Sequence, residues 1–134
     1  MKKTAFDLAS LEQVDTATIT LKHPVTGEEL EGVTVEVYGP DSPFFQAATT
    51  KMRARITDFI TRNRGAKTDV KQKFTEERER ERNISCIKSI GGLVYKGEPV
   101  TEPADACERF PWIYAQSTAG MDDSGNFIKS SPAK

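Results

Sequence analysis

Any chemistry in this sequence has to come from His23, Cys86, Cys107, the carboxylate pair Asp122-Asp123 or the doublet Gly91-Gly92. His23 is the sole histidine; it precedes Pro24 at a strand end and has no serine or cysteine near it in sequence to activate. An ordinary turn histidine is the better reading than a general base. Cys86 and Cys107 are the only cysteines. In a reducing compartment two lone thiols pack as small apolar groups, and no histidine cluster or second cysteine pair supplies metal-ligand spacing. Gly91-Gly92 follows a helical pattern instead of opening a helix after a strand, so it reads as a stop and not as a phosphate cradle. Asp122-Asp123 lacks the apolar setting that raises a carboxyl pKa for acid catalysis. No catalytic, cofactor-binding or metal-binding residue is therefore assigned, no cofactor is expected, and the chain is not expected to be an enzyme.

Composition points the same way. At 134 residues the chain fits one domain, 1–134, within the usual span of roughly 100–150 residues; residues 1–15 and 128–134 are expected to be flexible. Apolar residues make up 37% and charged residues 29%, a lean supply for one core. A net charge of −1 argues against an electrostatic nucleic-acid binder, which concentrates Lys and Arg. No run approaches the roughly 20 apolar residues of a bilayer span. Asp7, Glu12 and Asp15 interrupt the apolar stretch that "MKKTAFDLAS" would need as a secretory signal. The expectation is a cytoplasmic protein, in which the acceptor pattern Asn83-Ile84-Ser85 has no use.

The elements follow from periodicity. Ala17, Ile19 and Leu21, then Val33, Val35 and Val37, alternate around "HPVTGEELEG" and predict a β-hairpin over 16–38. A hairpin alone is marginal, so its apolar face needs a cover, and the next segment is the natural one. That segment carries Asp41 or Ser42 as N-cap, Pro43 in the first turn and Gly65 as stop. Phe45, Ala48, Met52, Ile56, Phe59 and Ile60 recur on one helical face. Arg53, Arg55, Arg62 and Arg64 fall on the solvent side. A second helix is predicted from Thr68 or Asp69 to about Ile90. Its "EERERER" run, 76–82, pairs Glu76 with Arg80, Glu77 with Arg80 and Glu79 with Arg82 at helical spacing, and its centre should project into water or against a neighbouring subunit. Leu93, Val94 and Tyr95 read as a short extended segment before a bend at Gly97 and Pro99. Pro103 opens a short helix capped by Thr101 or Glu102, and Pro111 ends it and starts another. The glycine-containing end from Ala119 onward is expected to fray or to order only on a partner.

"RFPWIYAQ", 109–116, gathers the largest apolar side chains beside a proline that restarts a helix. Phe110 and Trp112 suit the core, as most such residues do; Tyr114 suits a partner surface, where few rotors and large area favour binding. The candidate protein-binding residues are Leu93, Tyr95, Phe110, Trp112, Ile113 and Tyr114.

A hairpin, two long helices, the "YKGEP" turn, a short helix leading to "FPWI" with Gln116 after it, and Asn126-Phe127 resemble, over nearly the whole chain, the tail assembly chaperones of long-tailed bacteriophages. The resemblance implies an α+β domain, mainly helical, with an N-terminal hairpin followed by about four helices. It implies a non-catalytic factor in the host cytoplasm that binds the tape measure protein, recruits tail tube protein subunits, forms homo-oligomers and is absent from the finished virion. Neither nucleic acid nor membrane is an expected partner. Two rival readings are a small DNA-associated regulatory protein, suggested by the arginines of the first helix, and a structural tail or connector component retained in the virion.

Overall fold

The computed structural model describes Ala5 and residues 7–128. The parts of the expected flexible ends at 1–4, 6 and 129–134 lie outside the described residues. A 3-10 turn, Leu8–Leu11, precedes β1 (Thr16–Lys22) and β2 (Glu29–Tyr38). Then come α1 (Pro43–Arg62), α2 (Thr68–Ser85) and β3 (Ile87–Gly91). A small hairpin, β4 (Val94–Tyr95) with β5 (Glu98–Pro99), leads to α3 (Pro103–Arg109), α4 (Pro111–Asp122) and a closing 3-10 turn, Ser124–Phe127. The fold is α+β and mainly helical, with the hairpin at its N-terminal side.

β1 and β2 pair antiparallel with Ala17 opposite Val37 and Ile19 opposite Val35, the pairing that the alternation requires. His23 holds the connection: its Nδ1 accepts the N–H groups of Val25 and Thr26 at 3.1 and 3.2 Å. α1 starts where the capping signals put it. Ser42 Oγ accepts the Phe45 N–H at 3.2 Å and donates to the Gly39 carbonyl at 2.8 Å, satisfying one of the orphan amides of the first turn.

The second helix is shorter than expected. It ends at Ser85, and Ile87–Gly91 is a third strand on the far side of β2, giving sheet order β1-β2-β3. The cause lies in the register: Val37 faces Ile87, but Val35 faces Ile90. One extra residue is inserted on β3, a β-bulge, so Ile87 and Ile90 both reach the core although three positions apart. Three-residue spacing of apolar side chains is therefore produced here by a bulged strand.

The sheet is covered by a different layer from the one predicted. The core joins Leu21, Val35, Val37, Ile87 and Ile90 of the sheet to Ala106 and Cys107 of α3 and to Ile113 and Met121 of α4. α1 reaches this core only through the half-buried Phe45 and Ala48 near its start. Further along, Phe59 of α1 stacks on Phe74 of α2 with centroids 3.9 Å apart. The C-terminal segment also differs from expectation. α4 runs through Gly120, which is buried against Ile19, and Phe127 is buried against Gly39. Val14 N–H donates to the Phe127 carbonyl at 2.8 Å, so residues 119–127 are part of the body.

The arginines of "EERERER" are likewise structural. Alternate residues on a helix advance by about 200°, which sends Arg80 to one side and Arg78 and Arg82 to the other. Arg80 lies 4.3 Å over the Tyr114 ring and donates to the Cys107 carbonyl at 3.3 Å. Arg82 lies 4.8 Å over Phe45 and reaches Thr49 and Asn83, while Arg78 covers Phe74 at 4.6 Å. Among the described residues the ion pairs within the run are Arg78 with Glu81 at 3.3 Å and Arg78 with Glu77 at 3.9 Å; the three expected pairings are not formed. The planar guanidinium gains more by stacking on an aromatic face than an exposed ion pair supplies.

Cys86 and Cys107 are free and buried. Burial pushes both thiols above their ordinary pKa, offset in part by the Ser85 hydrogen bond and Arg82 at Cys86 and by Arg80 at Cys107. The folded chain keeps these protons at a pH where the unfolded chain loses them, so their contribution to stability is complete at neutral pH and declines above about pH 8.5. Iodoacetamide at pH 8 should label neither thiol in the native state and both in denaturant, a difference read by intact mass.

Candidate protein-binding surface

"YKGEP" folds as a tight hairpin. Val94 pairs with Pro99 and Tyr95 with Glu98, leaving Lys96 and Gly97 as a two-residue loop. Their φ values of 50° and 86° are those of a type I′ turn, whose twist matches paired strands. The Val100 N–H closes the base by donating to the Leu93 carbonyl at 2.9 Å. This pair of strands is separate from the main sheet. Val94 therefore stands clear at 68% exposure and Tyr95 at 38%.

The α3–α4 corner supplies the other wall. Phe110 ends α3 and caps α4 with φ −129° and ψ 81°, a non-helical conformation of the kind required before proline. Its N–H donates to the Ala106 carbonyl and its own carbonyl accepts the Ile113 N–H, both at 2.8 Å. The half-buried ring is thereby aimed at Tyr95, edge to face, with centroids 5.7 Å apart. Arg109 and Lys96 each hold their cation 5.3 Å from the Tyr95 centroid. Between hairpin and α3 lies an open groove of about 480 Å³, lined by Tyr95, Val100, Asp105, Ala106, Arg109 and Phe110 among others. Its volume suits one large side chain or a short peptide stretch. Glu98, Glu102 and Asp105 line it together with Lys96 and Arg109, so its charge is mixed.

Of the six residues singled out from sequence, the fold brings Tyr95 and Phe110 together at this groove, with half-buried Leu93 at the hairpin's base. Trp112 is half-buried against the core. Ile113 is 1% exposed and belongs to the core. Tyr114 also turns inward: its hydroxyl accepts from Asn83 Nδ2 at 3.0 Å and Arg80 covers its ring. Val94 was not among the six, yet it is the most exposed apolar side chain of the hairpin; a two-residue Lys-Gly loop between Tyr95 and Glu98 is the signal that could have found it.

Gln116 couples α4 to the sheet. Its amide accepts the Lys22 N–H and donates to the Lys22 carbonyl, each at 2.8 Å.

Among the described residues no three of His, Cys, Asp and Glu gather as a metal ion would need, and no helix is long and apolar enough to cross a membrane. No family model, curated protein or solved structure matches this chain.

Proposed function

We propose that this chain is a tail assembly chaperone: a non-catalytic, self-associating factor that binds the tape measure protein in the host cytoplasm, recruits tail tube subunits and leaves before the virion is complete. The observation that carries the binding role is the apolar hairpin tip Val94-Tyr95, held off the core by a rigid turn beside an aromatic groove. Apolar side chains on a pre-organised loop bind with little ordering cost. The identity of the client rests on the resemblance of "YKGEP" and "FPWI" to that family. A tape measure protein is a very long helix with apolar stripes, and a groove of side-chain size gives such a client contacts that later partners can displace.

Co-expression with the neighbouring tape measure protein tests this. Wild type should keep the client in the soluble fraction. The double variant Val94→Asp/Tyr95→Ser should remain folded, since neither side chain belongs to the core and the lost Tyr95–Phe110 ring contact costs about 1 kcal/mol, and should lose rescue, because two hot-spot contacts of about 2 kcal/mol each amount to several hundredfold in affinity. A client equally insoluble with and without the wild-type chain refutes the proposal. Mass spectrometry that finds the chain in finished virions favours the connector reading, and steeply salt-dependent binding to duplex DNA favours the regulator.

A further inference from the structure

On the other side of α2 lies a second groove, of about 370 Å³, between α1 and the "EERERER" helix. Its apolar part is small or flat: Phe44, Ala47, Ala48 and Met52. Two alanines side by side on a helix let another backbone approach closely. Four cations, Lys51, Arg55, Arg78 and Arg82, line it with one carboxylate, Glu81; outside the lining Glu77 reaches Arg78 at 3.9 Å. The Glu81 carboxylate is divided, with Oε1 3.2 Å from Arg55 and Oε2 3.3 Å from Arg78. Arg82 hydrogen-bonds only neutral groups, Thr49 and Asn83, and neither it nor Lys51 meets a carboxylate among the described residues. Arg78 has a side chain only 16% exposed, and its buried Nε has no hydrogen-bond partner. Arg78 and Arg82 are half-buried and Lys51 and Arg55 exposed, and a cationic rim of this kind around one unpartnered buried donor favours an anion.

We infer that this groove is a second docking site, and that its occupant is an amphipathic helical segment of a partner protein carrying Glu or Asp beside its apolar stripe. The apolar residues would meet Phe44, Ala47 and Ala48, over the buried Met52, and the carboxylates Lys51, Arg55 and Arg82. Nucleic acid fits less well, because Glu81 sits among the cations and the remaining lining is apolar. The inference shares with the proposed function only the premise that the chain works by binding other proteins; it does not depend on the hairpin site or on the client's identity.

The test uses the full chain and fluorescein-labelled synthetic peptides about 18 residues long, enough to form a helix on contact, with one Leu/Ala stripe flanked by Glu, by Gln or by Lys. At low salt the Glu peptide should bind about tenfold more tightly than the Gln peptide, and the gap should close as salt rises past the point where exposed charges are screened. Lys51→Glu/Arg55→Glu should abolish that preference while circular dichroism and Tm stay as in wild type; should this variant fold poorly, Lys51→Glu alone must halve the preference or better. Equal binding of all three peptides, or a preference that survives the substitutions, overturns the proposal. So does displacement of the Glu peptide by duplex DNA, and so does dissociation of a self-assembled form by these substitutions with no peptide bound, which would assign the groove to a second copy. Val94→Asp/Tyr95→Ser should keep the Glu-peptide preference, so failure at the hairpin and failure at this groove are read separately.

Discussion

Ile113→Ala is expected to lower the unfolding free energy by about 2–5 kcal/mol, the range for truncating a fully buried Ile to Ala. Ile113 is 1% exposed and sits where α4 meets Leu21, Val35 and Val37 of the sheet. Removing three carbons forfeits about 2.4 kcal/mol of transfer free energy at about 0.8 per methylene, before the cavity cost is added. The layer cannot collapse easily, because Gly120 on the same helix already lies against Ile19. In a domain whose total stability is about 5–15 kcal/mol, the loss is a large share. Urea denaturation should show a lower midpoint with an unchanged slope. A loss below about 0.5 kcal/mol, the range of surface substitutions, would mean that Ile113 is a surface residue and would revive it as a partner contact.

Gly92→Ala should be as damaging, for a backbone reason. Gly92 has φ +85° just after β3, and a Cβ there would overlap the Gly32 carbonyl oxygen and lie 3.0 Å from Val33 Cα. Those neighbours are backbone and cannot rotate away. A left-handed conformation costs a residue with a Cβ about 1–2 kcal/mol, and separating the two backbones disturbs the register in which Thr34 faces Gly91. A loss of at least about 3 kcal/mol is expected, large for one added methyl. Gly91→Ala is the control: a Cβ at Gly91 meets nothing within 4 Å, so its effect should be near zero. Similar stability of the two variants would show that the Gly32–Gly92 approach is not a constraint on the fold.

Neither site is legible in the sequence, where Ile113 suits a binding surface and Gly91-Gly92 the end of a helix, although Ile113 is core and Gly92 follows a strand. The β1–β2 hairpin could be read because Ala17, Ile19, Val35 and Val37 keep strict alternation, and α1 because Ser42 and Pro43 announce its start. The third strand could not, because the bulge between Ile87 and Ile90 reproduces helical spacing and the preceding helix leads straight into it. Nor could the destination of the arginines: local spacing shows possible ion pairs within α2, whereas Phe45, Cys107 and Tyr114, which they meet, lie far away in sequence. For the same reason Gly120, which reads as a sign of a loose end, is a contact with Ile19, and Phe127 in that same end packs on Gly39. At the candidate site Tyr95 and Phe110 were legible as separate binding candidates beside Gly97 and Pro111, but not as a pair, since they meet only through the fold. Val94 carries no mark of exposure of its own and is legible only through the Lys-Gly loop beside it; Ile113 is in the core, and Tyr114 turns inward to Asn83 and Arg80.

The amide of Gln116 has a consequence for how such a molecule survives at high concentration. A sheet three strands wide offers its outer strands to any passing extended chain, and stacking through those strands is how sticky proteins become fibrils. Lys22 would present a free N–H and C=O on the β1 side, and Gln116 answers both; at the opposite end Val14 is taken by Phe127. At Lys22 and Val14 the β1 side of the sheet is thus closed to an added strand, while Val94, Tyr95 and Phe44 remain displayed to solvent.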